Sequence, residues 1–256
     1  MKTVVAIKQV PARDSLLRID PAGRWIEDAG LDFEINEPDA YALEAALQLK
    51  EQHGGEVIAL CAGPEGAART LREALAKGAD RAIHIEGDHL RDFGVLGIAR
   101  LLAEAARPET PDLILTGLQS GDLGFGQTGV IVAELLGLPH STIIMQIEAA
   151  GGRLRVKREL EGGWCQFIEV PLPAVLTIQS GISKLRYATL MGIKKARSKE
   201  IRRTTPAGLG VAPERTFEVT RLYAPERSKR TQMMEGDARA AAAALVEKLR
   251  FEAKAL

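Results

Sequence analysis

The chain has 256 residues, enough to bury a substantial core as one large domain or as one domain with an appendage. Its 34 basic and 34 acidic residues cancel, which excludes a whole-surface attraction to nucleic acid or acidic membrane and leaves electrostatic recognition to local patches. No apolar run approaches the roughly 20 residues that cross a bilayer, and "MKTVVAIKQV" reads as a first strand rather than a signal peptide, so the expected location is the cytoplasm, without membrane insertion.

Residues 3–9 are the first expected strand. "LLRIDPAGRWIED" follows as a hairpin turning at residues 21–23. In "NEPDAYALEAALQLKEQHGG", Asn36 is expected to cap a helix, Leu43 and Leu47 fall one turn apart, and Gly54 ends it. Residues 56–62 make the next strand. "GPEGAARTLREALAKGAD" repeats the helix plan, with Pro64 near its first turn, Leu71 and Leu75 one turn apart, and Gly78 as the stop. Residues 82–86 and 112–117 complete four short aliphatic strands, each followed by an alanine- and leucine-rich helix. Such runs suit strands buried on both faces, and the alternation implies right-handed βαβ crossovers in a doubly wound, mostly parallel α/β sheet. Cys61 and Cys165 lie far apart and form no CxxC pair; they read as small hydrophobes of a reducing compartment, with a single disulfide as the alternative.

The stretch "TGLQSGDLGFGQTG", residues 116–129, follows the fourth strand and opens a helix near Gln127. Ligands of open α/β sheets bind beyond the carboxyl ends of the strands, and a helix N-terminus with free N–H groups suits a phosphate. Gly121, Gly124 and Gly126 supply backbone freedom, and Gln127 and Thr128 supply donors. Ala6, residues 36–39 and "CAGP" should rise on the same sheet edge. The spacing matches neither the Walker pattern nor GxGxxG, so a nucleotide cradle and a plain long turn both stand. No catalytic set emerges. His53, His84, His89 and His140 have no metal-binding spacing, and the first and second read as structural. There is no GxSxG elbow, and Glu159 and Glu161 sit beside Lys157 and Arg158, as cross-strand charge pairs would.

From about residue 141 the pattern changes to three antiparallel strands with turns at Gly151–Gly152 and Gly162–Gly163, then a buried strand at "PAVLTI". The expected division is an α/β domain over 1–205 and an extended arm with a terminal helix over 206–256. In "KLRYATLMGIKKARSKE", Leu190, Met191 and Ile193 interrupt a basic run with poor helical spacing. Taken alone, these residues cover the protein's own sheet or form a docking surface.

"VKRELEGGWCQFIEVPLPAVLT" resembles the signature of the electron transfer flavoprotein (ETF) β subunit, through Val156, Arg158, Glu161, Gly162, Gly163, Gln166, Ile168, Pro173, Val175, Leu176 and Thr177. The likeness runs from "VVAIKQV" to "YATLMGIKKARSK" and weakens in the arm. It implies a Rossmann-like fold of the adenine-nucleotide α-hydrolase type, with an antiparallel hairpin extension and a C-terminal arm that packs on an ETF α subunit. It further implies an electron carrier, not an enzyme, between flavin dehydrogenases such as acyl-CoA dehydrogenases and a respiratory ETF-quinone oxidoreductase, with no nucleic-acid partner. FAD would be held mainly by the α subunit and a structural AMP by this chain. The AMP contacts carry over to Ala6, to Asn36, Glu37, Pro38 and Asp39, to Ala62, and to Gly117, Leu118, Gln119, Ser120, Gly121, Asp122, Leu123, Gly124, Phe125, Gly126, Gln127 and Thr128. The partner-recognition loop corresponds to residues 184–199, with Lys184, Arg186, Tyr187, Leu190, Met191, Ile193, Lys194 and Lys195, and Leu190 matches the leucine that enters a pocket on the dehydrogenase. The glycine-rich loop departs from the family's more acidic version, which keeps open a second FAD in place of AMP, as in bifurcating relatives. An adenine-nucleotide-dependent enzyme of related fold would need a phosphate motif such as SGGxDS after the first strand; "IKQVPARDS" lacks its glycines.

Overall fold

A computed structural model describes residues 1–213, 218–225 and 231–255. The chain runs β1 (Lys2–Ala6), β2 (Gln9–Pro11), β3 (Phe33–Ile35), α1 (Glu37–His53), β4 (Glu56–Gly63), α2 (Ala68–Lys77), β5 (Arg81–Glu86), α3 (Gly94–Ala106), β6 (Leu113–Gly117) and α4 (Thr128–Leu136). It continues through β7 (His140–Ala150), β8 (Arg153–Glu159), β9 (Cys165–Pro171), β10 (Ala174–Ile178), α5 (Leu190–Ala196), β11 (Ile201–Thr204) and α6 (Ala238–Phe251). Among the described residues, nine strands form one sheet in the order β11-β5-β4-β1-β6-β10-β7-β8-β9. It is parallel from β11 to β7 and antiparallel from β7 to β9. The expected doubly wound α/β fold is present, with the Gly-Gly turns joining the three antiparallel strands.

The aliphatic runs behave as their composition requires. Val4, Val5, Ile58, Leu113 and Leu115 are essentially without solvent contact, because helices cover both faces of the parallel strands. On one face Leu43, Leu47, Leu71 and Leu75 from α1 and α2 join Val5, Val57 and Leu115; on the other α3 and α4 cover Val4, Ile58 and Ile114. Each fully buried leucine contributes about 1.5–3 kcal/mol. Cys61 belongs to the first cluster and Cys165 is exposed; both are free, so the disulfide alternative falls.

Three local expectations change. The strand expected over 3–9 stops at Ala6, because the Lys8 backbone leaves the ladder: its N–H donates to Asp39 Oδ2 (2.8 Å) and its carbonyl accepts from the Asn36 N–H (2.9 Å). β2 then pairs antiparallel with β3 in a separate two-stranded sheet. The hairpin at 16–28 is reduced to one bridge between Ile19 and Ile26, closed by Gly23 N–H to Asp20 (2.9 Å) and Glu27 N–H to Arg18 (2.8 Å). The basic segment forms the short helix α5 despite its poor spacing, since Thr189 caps it by accepting from Gly192 N–H (3.0 Å) and its buried Ala196 joins the core under α2.

Residues Met1–Thr220 form one compact unit, and Leu209 and Val211 still pack on its α3/α4 layer. Arg221–Leu256 form a second unit, in which Asp237 caps α6 by accepting from Ala240 N–H (2.8 Å). The parts of the expected arm at 214–217 and 226–230 lie outside the described residues. Among the described residues no helix is long and apolar enough to cross a membrane.

Candidate functional site

Chain order reverses between β1 and β6: β4 and β5 lie to one side of β1, β6 and β10 to the other. A crevice at the carboxyl ends of these two strands is where open α/β sheets take ligands. Ala6 and Gly117 end β1 and β6 on this edge, Ala62 is the penultimate residue of β4, and α1 begins there. The first turn of α1 is bonded to both strand ends. The Asp39 carboxylate accepts from Lys8 N–H after β1 and, through Oδ1, from Gly117 N–H at the end of β6 (2.9 Å). A Cβ on Gly117 would lie 2.3 Å from Asp39 Oδ1 and 2.7 Å from Pro38 Cβ, so only glycine permits this approach.

Asn36 stands at the N-cap position but does not cap α1. Its side chain instead grips the glycine-rich loop, with Nδ2 donating to the Gln119 carbonyl (3.0 Å) and Oδ1 accepting from Gly121 N–H (3.0 Å). Lys8 Nζ holds the same loop through Asp122 (2.6 Å) and Ser120 Oγ (3.3 Å). The loop then turns on itself, Gly124 N–H donating to the Ser120 carbonyl (3.0 Å), with Gly124 and Gly126 at φ 64°, where a side chain would be strained. Gly121 has no such φ; a second close approach falls instead at Gly129, whose Cβ would meet Thr116 Oγ1 at 2.5 Å and Thr177 at 2.6 Å. Asn36 and Asp39 are buried, Leu118, Ser120, Gly126 and Thr128 half-buried, and Gln119, Leu123, Gly124, Phe125 and Gln127 exposed. Glu37 points outward to an ion pair with Arg13.

Burial pushes the Asp39 carboxyl up to about 6 even though two backbone N–H groups, the Asn36 amide and the Lys8 ammonium favour its charged form. It is a carboxylate at neutral pH. Burial also pushes the Cys61 thiol up to about 12, which makes it inert. His84 is fully buried with Nε2 3.2 Å from the Gly63 carbonyl oxygen, a strut beneath the end of β4, as the structural reading expects. No group of His, Cys, Asp or Glu among the described residues has the geometry to hold a metal ion.

The second candidate region is the basic segment. Leu190 is 86% exposed and Tyr187 91%, with Met191 and Ile193 also in solvent. Lys184, Lys194 and Lys195 are exposed around them. Arg186 departs from that pattern. It is half-buried and forks onto α1: Nε to Glu44 Oε2 (2.8 Å), one terminal nitrogen to Glu51 (2.6 Å), the other to Glu44 (3.0 Å) and Glu51 (3.2 Å). Burial works to raise the Glu44 carboxyl, but Arg186 and the Gln48 amide together outweigh it and hold it below the usual range. Lys8, Glu44, Glu51, Arg72 and Lys199 all support these two loops, and sequence reading missed them. Their partners lie far along the chain, so no local pattern marks them.

The chain matches the family model described as "Electron transfer flavoprotein domain" over residues 24–209. It is 36% identical over 257 residues to the electron transfer flavoprotein subunit beta of Methylophilus methylotrophus, covering 96% of this chain and 97% of that one. The mitochondrial electron transfer flavoprotein subunit beta of Oryza sativa subsp. japonica is 36% identical over 259 residues, covering all of both chains. The Homo sapiens electron transfer flavoprotein subunit beta is 37% identical over 214 residues, 82% of this chain and 84% of that one.

Proposed function

Because the chain belongs to the electron transfer flavoprotein β-subunit family, we propose that it holds AMP at the switch point between β1 and β6 while an α subunit holds most of the FAD. Family membership makes the chain an electron-carrier subunit rather than an enzyme, with an ETF α subunit as partner. The finer assignments are part of the proposal: electrons arrive from acyl-CoA-type flavin dehydrogenases, leave to a respiratory ETF-quinone oxidoreductase, and the segment 184–199 docks on the donor through Leu190.

The observation that carries the AMP reading is the uncapped start of α4. Gln127 makes no side-chain cap, and no acidic residue stands in the first turn. The N–H groups of Thr128, Gly129 and Val130 therefore point from the helix N-terminus without intrahelical acceptors, a donor set suited to a phosphate. Asn36 and Asp39 are engaged with backbone and would position the site rather than touch the phosphate. Ala6 and Ala62 place only small side chains at the sheet edge. FAD, when bound, supplies the electron chemistry; flavin-to-flavin exchange needs close approach and a tuned cofactor rather than a side-chain nucleophile.

Ligand extraction from the purified αβ heterodimer tests this. FAD and AMP in equal amounts are expected. Two FAD per heterodimer and no AMP would replace AMP with a second flavin in this chain, and a β site without any adenine compound would overturn the nucleotide reading.

A further inference from the structure

The segment 184–199 carries its exposed apolar groups on a backbone that is fastened on both sides. Upstream, Arg186 reaches across 142 residues of sequence to Glu44 and 135 to Glu51, and its own backbone N–H also donates to Glu44 (3.3 Å). Glu44 and Glu51 lie two turns apart on one face of α1, so the planar guanidinium bridges a preset pair. Downstream, Arg72 donates from α2 to the carbonyls of Ala196 (2.7 Å) and Lys199 (2.6 Å), and Lys199 Nζ returns to the carbonyls of Leu75 in α2 (3.1 Å) and of Ala79 just after it. Between the two fastenings, a Cβ on Gly192 would lie 2.3 Å from the Ala76 carbonyl oxygen, so α5 rests directly on α2 backbone.

We propose that Arg186, clamped by Glu44 and Glu51, is a positioning residue that holds Tyr187, Leu190 and Met191 in one ordered projection before a partner arrives. Its Nε and both terminal nitrogens are engaged within the chain, so it is not one of the basic groups that meet the partner. An apolar hook on a slack loop would lose ordering entropy on docking; one already fixed loses little. The inference rests on the reading of 184–199 as the docking segment and adds what keeps that segment fit to dock.

The test uses the intact αβ heterodimer with an acyl-CoA-type flavin dehydrogenase as electron donor. Arg186→Gln is expected to raise the half-saturating heterodimer concentration roughly 5-fold while the limiting rate stays within about 2-fold. Amide hydrogen exchange of residues 188–196 should quicken by roughly 10-fold, with the sheet unchanged. Arg186→Lys, which restores the charge but not the fork, should recover only part of the affinity. Glu51→Gln removes one exposed arm of the clamp and should move both readouts the same way by about 2-fold, and it decides the matter if Arg186→Gln does not fold. Unchanged exchange in residues 188–196, or quickened exchange with unchanged half-saturation, overturns the positioning role. Leu190→Ala separates the two layers. If it weakens docking and the Arg186 and Glu51 variants do not, the positioning inference alone fails; if it leaves docking unchanged, the docking reading fails and this inference with it.

Discussion

The glycine-rich segment 117–128 and the basic segment 184–199 both leave the sheet, and α1 fastens both, but with opposite chemistry. At its first turn, Asn36 and Asp39 grip backbone groups of Gln119, Gly121 and Gly117, and loop side chains enter through the Lys8 contacts to Asp122 and Ser120. Further along, Glu44 and Glu51 grip a side chain, Arg186, while α2 takes up the backbone carbonyls around Ala196 and Lys199. The first loop is therefore held largely through its backbone and leads into the N-terminus of α4, and the second carries its apolar side chains in solvent. A loop that must offer its N–H groups to a ligand is held at a few chosen backbone atoms; a loop that must offer side chains is held by everything else.

The contrast is broken most severely at Gly117. Its Cβ position is fenced by Asp39 and Pro38, both on the rigid first turn of α1, so Gly117→Ala must push the helix from β6 and open the two carboxylate bonds. The expected loss is about 3–5 kcal/mol of unfolding free energy, with loss of bound adenylate. The hook should be untouched, so folded heterodimer should still dock at normal half-saturation. Thermal unfolding, nucleotide extraction and donor titration check the three parts; retained AMP in a destabilised variant would separate the joint from the nucleotide site.

A smaller effect follows from Asp39 itself. Its folded value of about 6 lies above its ordinary 3.8, so between roughly pH 4 and 6 the native state binds more protons than the unfolded chain. The Asp39 contribution to stability is therefore greatest below pH 4, declines as pH rises to 6, and is level above it, over a span of at most about 3 kcal/mol. Asp39→Asn should abolish that decline. Denaturant melts of both proteins across this range give the answer, and parallel curves would show that the carboxyl titrates normally.

The parallel strands, the Gly-Gly hairpin turns and the leucine spacing of α1 and α2 were legible because each is a local pattern tied to burial. The switch-point edge followed from topology alone, since strands that alternate with helices all end on one side. What local pattern could not carry was partner choice over long separations. Asn36 has the look of a cap, yet its amide is claimed by a loop 83 residues on. Arg186 sits in a basic run and reads as one more surface cation until α1 is packed beside it. The glycines divided in the same way: Gly124 and Gly126 serve the backbone freedom that their cluster advertises, whereas Gly117 and Gly129 are required by neighbours from other elements.

The finest test separates charge from apolar contact within the hook. Lys194 and Lys195 are exposed in the last turn of α5, one helical turn on from Leu190 and Met191. Exposed charges at the rim of an interface act mainly on encounter, and their reach ends near the Debye length, about 8 Å at physiological salt. Replacing both lysines with glutamine should slow association with an acidic donor surface by about 3-fold at low ionic strength, and the difference should vanish near 1 M salt. Dissociation should not change. Leu190→Ala should do the reverse, speeding dissociation at every ionic strength by the loss of about 1.5–3 kcal/mol of apolar burial. Stopped-flow association over a salt series distinguishes them. If the lysine variant instead speeds dissociation at high salt, the lysines make direct contacts in the complex, and the division between a guiding collar and an anchoring tip is wrong.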